Sequence, residues 1–222
     1  MIIKICGITT LEDARISFDA GADWIGLNLV AGPRQIDLAA ALAIVTDLDE
    51  PARVVALLRA ADHRVLRETL NSLGERGVGR VQLYGDADGA GIAELRGAGF
   101  EVIGVVAVAD DESIDRYGAV LDRRGGDRPT HVLIDAAVSG KLGGTGTPAN
   151  WDAIARARRD GRLASWPPIL LAGGLTSTNV ADAIAVVQPD GVDVGSGVER
   201  EPGRKDPAKI AAFIDAVRGV AR

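Results

Sequence analysis

Cysteine is almost missing from this chain: Cys6 is the only one among 222 residues. An intrachain disulfide is therefore excluded, and a lone thiol suits a reducing compartment. Aromatic side chains are scarce at 4%, so the core has to be built from Ala, Val, Leu and Ile. Positive charge is not in excess. The formal net charge of −6 argues against a general nucleic-acid binder or a membrane-surface protein, since both need a basic face. No apolar run reaches the length of a bilayer span. The N-terminus enters Ile2-Ile3-Lys4-Ile5 without a charged segment followed by a long apolar one, so a cytoplasmic protein without a leader is expected. Only two histidines occur, with no Cys/His/carboxylate spacing of a metal site, no P-loop and no dinucleotide fingerprint. Neither a metal nor an organic cofactor is expected.

What is present is a regular alternation. Short, nearly continuous apolar runs at 2–6, 24–28, 53–58, 80–83, 102–107, 131–135, 169–172 and 192–194 read as strands buried on both faces. Between them lie amphipathic helical patterns. The first starts at Thr10, with Asp13 three residues on in a capping-box-like arrangement, and stops at Gly21. The others cover 38–48, 62–73, 89–97, 112–123, 151–160, 176–187 and 207–217. Eight strand-then-helix units are the count of a closed (β/α)8 barrel, here an α/β single domain over residues 1–222. The alternative is an open doubly wound sheet. That fold usually has fewer units and a Gly-rich first turn, whereas the first turn here carries only Gly7. No linker or shift in composition divides the chain.

In a parallel barrel, the C-terminal ends of the strands form the mouth where chemistry is done. Cys6 ends the first strand-like run. A thiol there acts as a base or nucleophile once ionised; otherwise it is a small buried hydrophobe. Lys4 shares its inward face by alternation, placed either to lower the thiol's pKa or to be paired inside the barrel. Asp135 follows Val132-Leu133-Ile134, which aims its carboxylate into the mouth as a general acid, an ion-pair partner or a cap on the following loop. Arg34, in the long loop after strand two, suits bidentate binding of a carboxylate, or is a solvated loop arginine. Three glycine-rich segments, Gly143-Gly144-Thr145-Gly146, Ala172-Gly173-Gly174-Leu175 and Val194-Gly195-Ser196-Gly197, follow the last three strands. Their backbone N–H groups suit a phosphate, because glycine lets the chain approach closely. His63 and His131 lie away from the catalytic ends of the strands.

Lys4-Ile5-Cys6-Gly7-Ile8, Gly21-Ala22-Asp23, Pro33-Arg34, Val81-Gln82-Leu83, Gly143-Gly144-Thr145-Gly146, Leu171-Ala172-Gly173-Gly174-Leu175, Asn179-Val180, and Ser196-Gly197-Val198-Glu199 with Pro202-Gly203 and Lys205-Asp206 follow one another along the chain. By these motifs the chain resembles the phosphoribosylanthranilate isomerase family of tryptophan biosynthesis. The resemblance implies a cofactor-free Amadori rearrangement of N-(5-phosphoribosyl)anthranilate to 1-(2-carboxyphenylamino)-1-deoxyribulose 5-phosphate. It also implies Asp135 as general acid and Cys6 as general base. Arg34 is implied to hold the anthranilate carboxylate, with Lys4 and Gln82 as further substrate-binding residues. Gly144, Gly173, Gly174, Gly195 and Ser196 fall to the phosphate. The expected partner is a small phosphosugar, with neither nucleic acid nor membrane, in a monomer or homodimer. Tyr84 stands where the family usually has His. Arg59 and Asn28 also depart from its pattern, and all three fall where the amine substituent would lie. A phosphosugar isomerase with another amine substituent, and a non-catalytic phosphoribosyl-ligand binder, are the alternatives. Retention of both Cys6 and Asp135 speaks against the binder.

Overall fold

The computed structural model describes residues 1–60, 63–85, 90–136 and 150–220, with the backbone alone for 63–65 and 136. The strands are β1 (Ile2–Ile8), β2 (Trp24–Asn28), β3 (Val54–Arg59), β4 (Arg80–Tyr84), β5 (Glu101–Val108), β6 (His131–Ala136), β7 (Ile169–Leu171) and β8 (Gly191–Val194). They pair in sequence order as parallel neighbours, and β8 returns to β1 to close an eight-stranded barrel. The helices are α1 (Leu11–Ala20), α2 (Leu38–Thr46), α3 (His63–Gly74), α4 (Ala90–Gly97), α5 (Asp111–Arg124), α6 (Trp151–Arg159), α7 (Val180–Val187) and α8 (Pro207–Val220). The expected barrel is thus the observed one, and the open sheet is excluded by the β1–β8 pairing.

Strand alternation sorts the apolar residues into two layers. Ile3 and Ile5 of β1 are fully or almost fully buried against the helices, in the cluster that also holds Ile25, Val54, Val132 and Phe213. Ile2 and Cys6 face inward and pack with Trp24, Val55, Leu57, Ile103, Leu133 and Leu170. The N-terminal end of the barrel is closed by a polar plug. Arg80 lies 4.8 Å over the Trp24 ring and pairs with Glu101 at 2.6 Å, while His131 meets the same ring edge-on at 5.1 Å. Burial holds the His131 imidazole below its usual pKa.

Several local readings change. β1 runs two residues beyond Cys6, because its register against β2 slips between Cys6 and Ile8. Gly7, at φ +78, takes up this bulge, a conformation that L side chains rarely adopt. Thr10 does cap α1, accepting from the Asp13 N–H at 3.1 Å, but the Asp13 carboxylate serves the Lys205 N–H instead of closing a capping box. α7 starts at Val180, four residues later than read from the pattern. The Asn179 amide ties the preceding turn to itself, accepting from the Thr176 N–H and donating to the Gly174 carbonyl. A short antiparallel hairpin, β9 (Glu199–Glu201) with β10 (Arg204–Lys205), was not read at all. Its strands are too short for a periodic signal, although Pro202-Gly203 marks the turn. Among the described residues no helix is long and apolar enough to cross a membrane.

Candidate active site

β1 carries Lys4 and Cys6 into the barrel on consecutive inward positions. Opposite Cys6 in register is Gly26 of β2. Its missing side chain makes the room for both groups. A Cβ at Gly26 would lie 2.9 Å from Cys6 Sγ and 3.2 Å from Lys4 Nζ. The thiol and the ammonium therefore converge over bare backbone. On the other side, β8 places Asp193 level with Lys4, and Lys4 Nζ donates to Asp193 Oδ1 at 2.6 Å. Both readings of Lys4 hold: it is a paired charge inside the barrel, and it stands beside the thiol, whose pKa it draws down.

The electrostatics follow from that triad. Burial works against the Lys4 ammonium, but Asp193, seconded by Cys6, holds its pKa above the ordinary lysine value. Burial pushes the Cys6 thiol up, and the Asp193 charge adds to this. Lys4, by charge and hydrogen bond, and then Lys205 pull it back without cancelling the rise. The thiol is therefore neutral at neutral pH in the free protein. Once ionised it is a strong base beside a fixed ammonium.

Asp135 lies on β6 at an inward position, level with Ala107 of β5, and is partly exposed at the mouth. Between it and Cys6 around the wall stand β7 and β8. Facing them is Tyr84, at the end of β4. Its hydroxyl accepts from Gln82 Nε2 at 2.8 Å. Burial raises the Tyr84 phenol well above its usual pKa, and the charges of Cys6, Asp193 and Asp135 add to the rise. Gln82 is 1% exposed, and its Oε1 has no hydrogen-bond partner among the described residues.

Arg34 is not free in its loop. Its Nε and Nη2 each donate to a Glu199 carboxylate oxygen at 2.7 Å. Glu199 also accepts from Lys205 Nζ at 3.0 Å, and the same ammonium donates to the carbonyls of Cys6 and Gly195 at 2.6 and 3.0 Å. Burial works against the Glu199 charge, yet the Arg34 hydrogen bonds and Lys205 bring its pKa below the ordinary value. Burial lowers Lys205 in spite of Glu199.

At the proposed phosphate end, Gly173 and Gly174 have φ +88 and +64, so this turn needs glycine. Gly195 precedes a 3₁₀ turn that starts at Ser196, the kind of short extra helix that accompanies phosphate sites in barrels. All four are partly exposed at the mouth. Gly144 lies outside the described residues. Of the departures, Asn28 turns its side chain onto the Val30 N–H, and Arg59 is exposed at the end of β3 beside Gly85. Sequence reading missed Asp193, Gly26, Glu199 and Lys205 as parts of the site. A carboxylate inside the apolar run Val192-Asp193-Val194 was a usable signal; Gly26 gave none. Among the described residues, no group of three or more His, Cys, Asp and Glu is gathered to hold a metal ion.

Residues 3–216 match the profile of a family described as N-(5′-phosphoribosyl)anthranilate (PRA) isomerase. Relatives named N-(5′-phosphoribosyl)anthranilate isomerase include one from Moorella thermoacetica, 39% identical over 97% of this chain and 89% of the relative. Another, from Geotalea uraniireducens, is 38% identical over 98% of each. Among solved structures, a monomeric form of the dimeric Thermotoga maritima phosphoribosylanthranilate isomerase superposes with a TM-score of 0.81 at 28% identity, over 99% of this chain and all (100%) of that one. A phosphoribosylanthranilate isomerase bound to reduced 1-(o-carboxyphenylamino)-1-deoxyribulose 5-phosphate superposes with a TM-score of 0.80 at 29% identity, with the same coverage.

Proposed function

The chain belongs to the N-(5′-phosphoribosyl)anthranilate isomerase family, and from this we propose that Cys6 and Asp135 are the base and the acid of its reaction. The reaction is the Amadori rearrangement of N-(5-phosphoribosyl)anthranilate to 1-(2-carboxyphenylamino)-1-deoxyribulose 5-phosphate, a step of tryptophan biosynthesis. Asp135 gives its proton to the ribose ring oxygen as the C1′–O bond breaks. The nitrogen lone pair forms C1′=N⁺, an open-chain Schiff base. The Cys6 thiolate removes the proton on C2′; that electron pair forms C1′=C2′ and the iminium pair returns to nitrogen. The enolamine loses its hydroxyl proton, takes one at C1′ and becomes the ketone.

The observation that carries this reading is the meeting of the thiol and the Lys4 ammonium over Gly26. A thiol whose pKa is raised by burial is a poor nucleophile at rest, but it becomes a strong base when it ionises against the buried Lys4 ammonium that Asp193 holds. Inward placement of Asp135 on β6 leaves the width of the mouth between acid and base for a sugar. Arg34 holds the anthranilate carboxylate, Gln82 and Lys4 face the sugar, and Gly144, Gly173, Gly174, Gly195 and Ser196 hold the phosphate. The protein works in the cytoplasm.

The test is turnover of freshly prepared phosphoribosylanthranilate, followed by loss of its fluorescence. Cys6→Ala and Asp135→Ala are each expected to lower kcat by roughly two to four orders of magnitude with little change in ligand affinity. A folded Cys6→Ala protein with wild-type turnover would remove the thiol from the mechanism. Arg34→Ala is expected chiefly to raise KM.

A further inference from the structure

The guanidinium of Arg34 has two edges able to hold a carboxylate, one along Nε and Nη2 and one along Nη1 and Nη2. Glu199 occupies the first with two bonds of 2.7 Å. Only the end edge is left for a ligand. The pairing is well enclosed: the side chains of Arg34, Glu199 and Lys205 are 14%, 4% and 0% exposed. Glu199 sits at the start of β9, immediately after the turn that carries Ser196, and the hairpin brings Lys205 back beneath it. Lys205 reaches the Cys6 and Gly195 carbonyls from there. One carboxylate thus joins the arginine loop after β2 to the strand bearing the thiol and to the strand leading into the phosphate turn. The three side chains carry two positive charges and one negative, so the cluster lacks one negative charge, which a substrate carboxylate on Arg34 supplies.

We propose that Glu199 is a positioning residue for substrate recognition: it fixes the side edge of Arg34 so that the end edge meets the substrate's carboxylate. This rests on the reading of Arg34 given above. Without Glu199, the long arginine side chain loses its fixed orientation, and a bidentate contact across the mouth becomes one geometry among many.

The experiment compares two substrates, ribose 5-phosphate condensed with anthranilate and ribose 5-phosphate condensed with aniline, which lacks the carboxylate. Wild type, Arg34→Ala, Glu199→Gln and Glu199→Asp are assayed for kcat and KM by ketose formation, with folding checked by circular dichroism. Glu199→Gln is expected to raise KM for the anthranilate substrate about tenfold while changing KM for the aniline substrate less than about threefold. An equal effect on both substrates, or none on either, while Arg34→Ala discriminates between them, overturns the proposal and leaves the Arg34 reading standing. If Arg34→Ala does not discriminate, the Arg34 reading fails and the proposal falls with it. Glu199→Asp keeps a charge for Lys205 but sets the carboxylate back by one methylene, out of reach of both arginine nitrogens. It answers the same question by the same criterion if Glu199→Gln does not fold.

Discussion

Lys4 and Asp193 form an ion pair of 2.6 Å inside the barrel, with the lysine side chain at 0% exposure and the aspartate at 10%. A charge in that position is tolerable only with its partner. Replacing Lys4 with Met leaves an uncompensated carboxylate in a low-dielectric interior. The expected cost is about 3–5 kcal/mol, read from urea unfolding. Replacing both residues, as Lys4→Met/Asp193→Leu, is expected to recover most of it. A double variant no more stable than Lys4→Met would show that the pair is not the source of the loss.

Cys6 is the only cysteine, so an alkylating reagent reports on it without ambiguity in the unmodified chain. Burial first and the Asp193 charge second raise its pKa above the ordinary 9.0. The rate of iodoacetamide labelling is expected to climb with pH to a midpoint above that of a free thiol, because only the thiolate reacts. Stability moves in the opposite sense. The folded thiol holds its proton more tightly, so its contribution is intact below the unfolded pKa and is lost as pH rises through the folded one. A labelling midpoint below that of a free thiol would reverse the electrostatic account of the site.

His131 titrates at the other end of the barrel. Burial against Trp24 lowers its pKa. Its neutral form stabilises the fold above the unfolded pKa, and that contribution is lost as pH falls through the folded one. The wild type is expected to lose more stability between pH 8 and pH 5 than His131→Gln, measured by urea midpoints at both values, about 8 and 5 being chosen to bracket the ordinary imidazole pKa. Equal losses in the two proteins would place the acid sensitivity elsewhere.

Gly26 faces the thiol with no side chain. A Cβ 2.9 Å from Cys6 Sγ and 3.1 Å from Leu57 Cδ1 has to displace one of them. Gly26→Ala is expected to fold and to lose roughly 10- to 100-fold in kcat, since a base moved by about an ångström loses its line to the proton. Unchanged kcat in a folded variant would mean that the thiol tolerates the shift.

How far the sequence reached depends on the range of the signal. The eight βα units were legible because each strand, buried on both faces, is a short apolar run, and each helix has a 3.6-residue period. Both are local patterns. Inward placement of Lys4 followed from alternation along β1, and that of Cys6 and Asp135 from their places at the ends of apolar strands. α7 starts later than its pattern because the Asn179 side chain holds the Thr176 N–H in a turn, a contact that leaves no mark on the apolar period. The β9–β10 hairpin was missed because two or three residues carry no period.

By itself, then, the sequence determined the barrel, its mouth and the inward placing of Lys4, Cys6 and Asp135, all through patterns within one strand or one helix. Only the tertiary structure decided what those residues touch. Asp193 meets Lys4 across 189 positions, Glu199 meets Arg34 across 165, and Lys205 reaches the Cys6 carbonyl across 199. Closing β8 onto β1 brings these distant charges within hydrogen-bond distance inside one enclosed space. Burial there fixes which charges must pair, and no local pattern in the chain encodes the choice of partner.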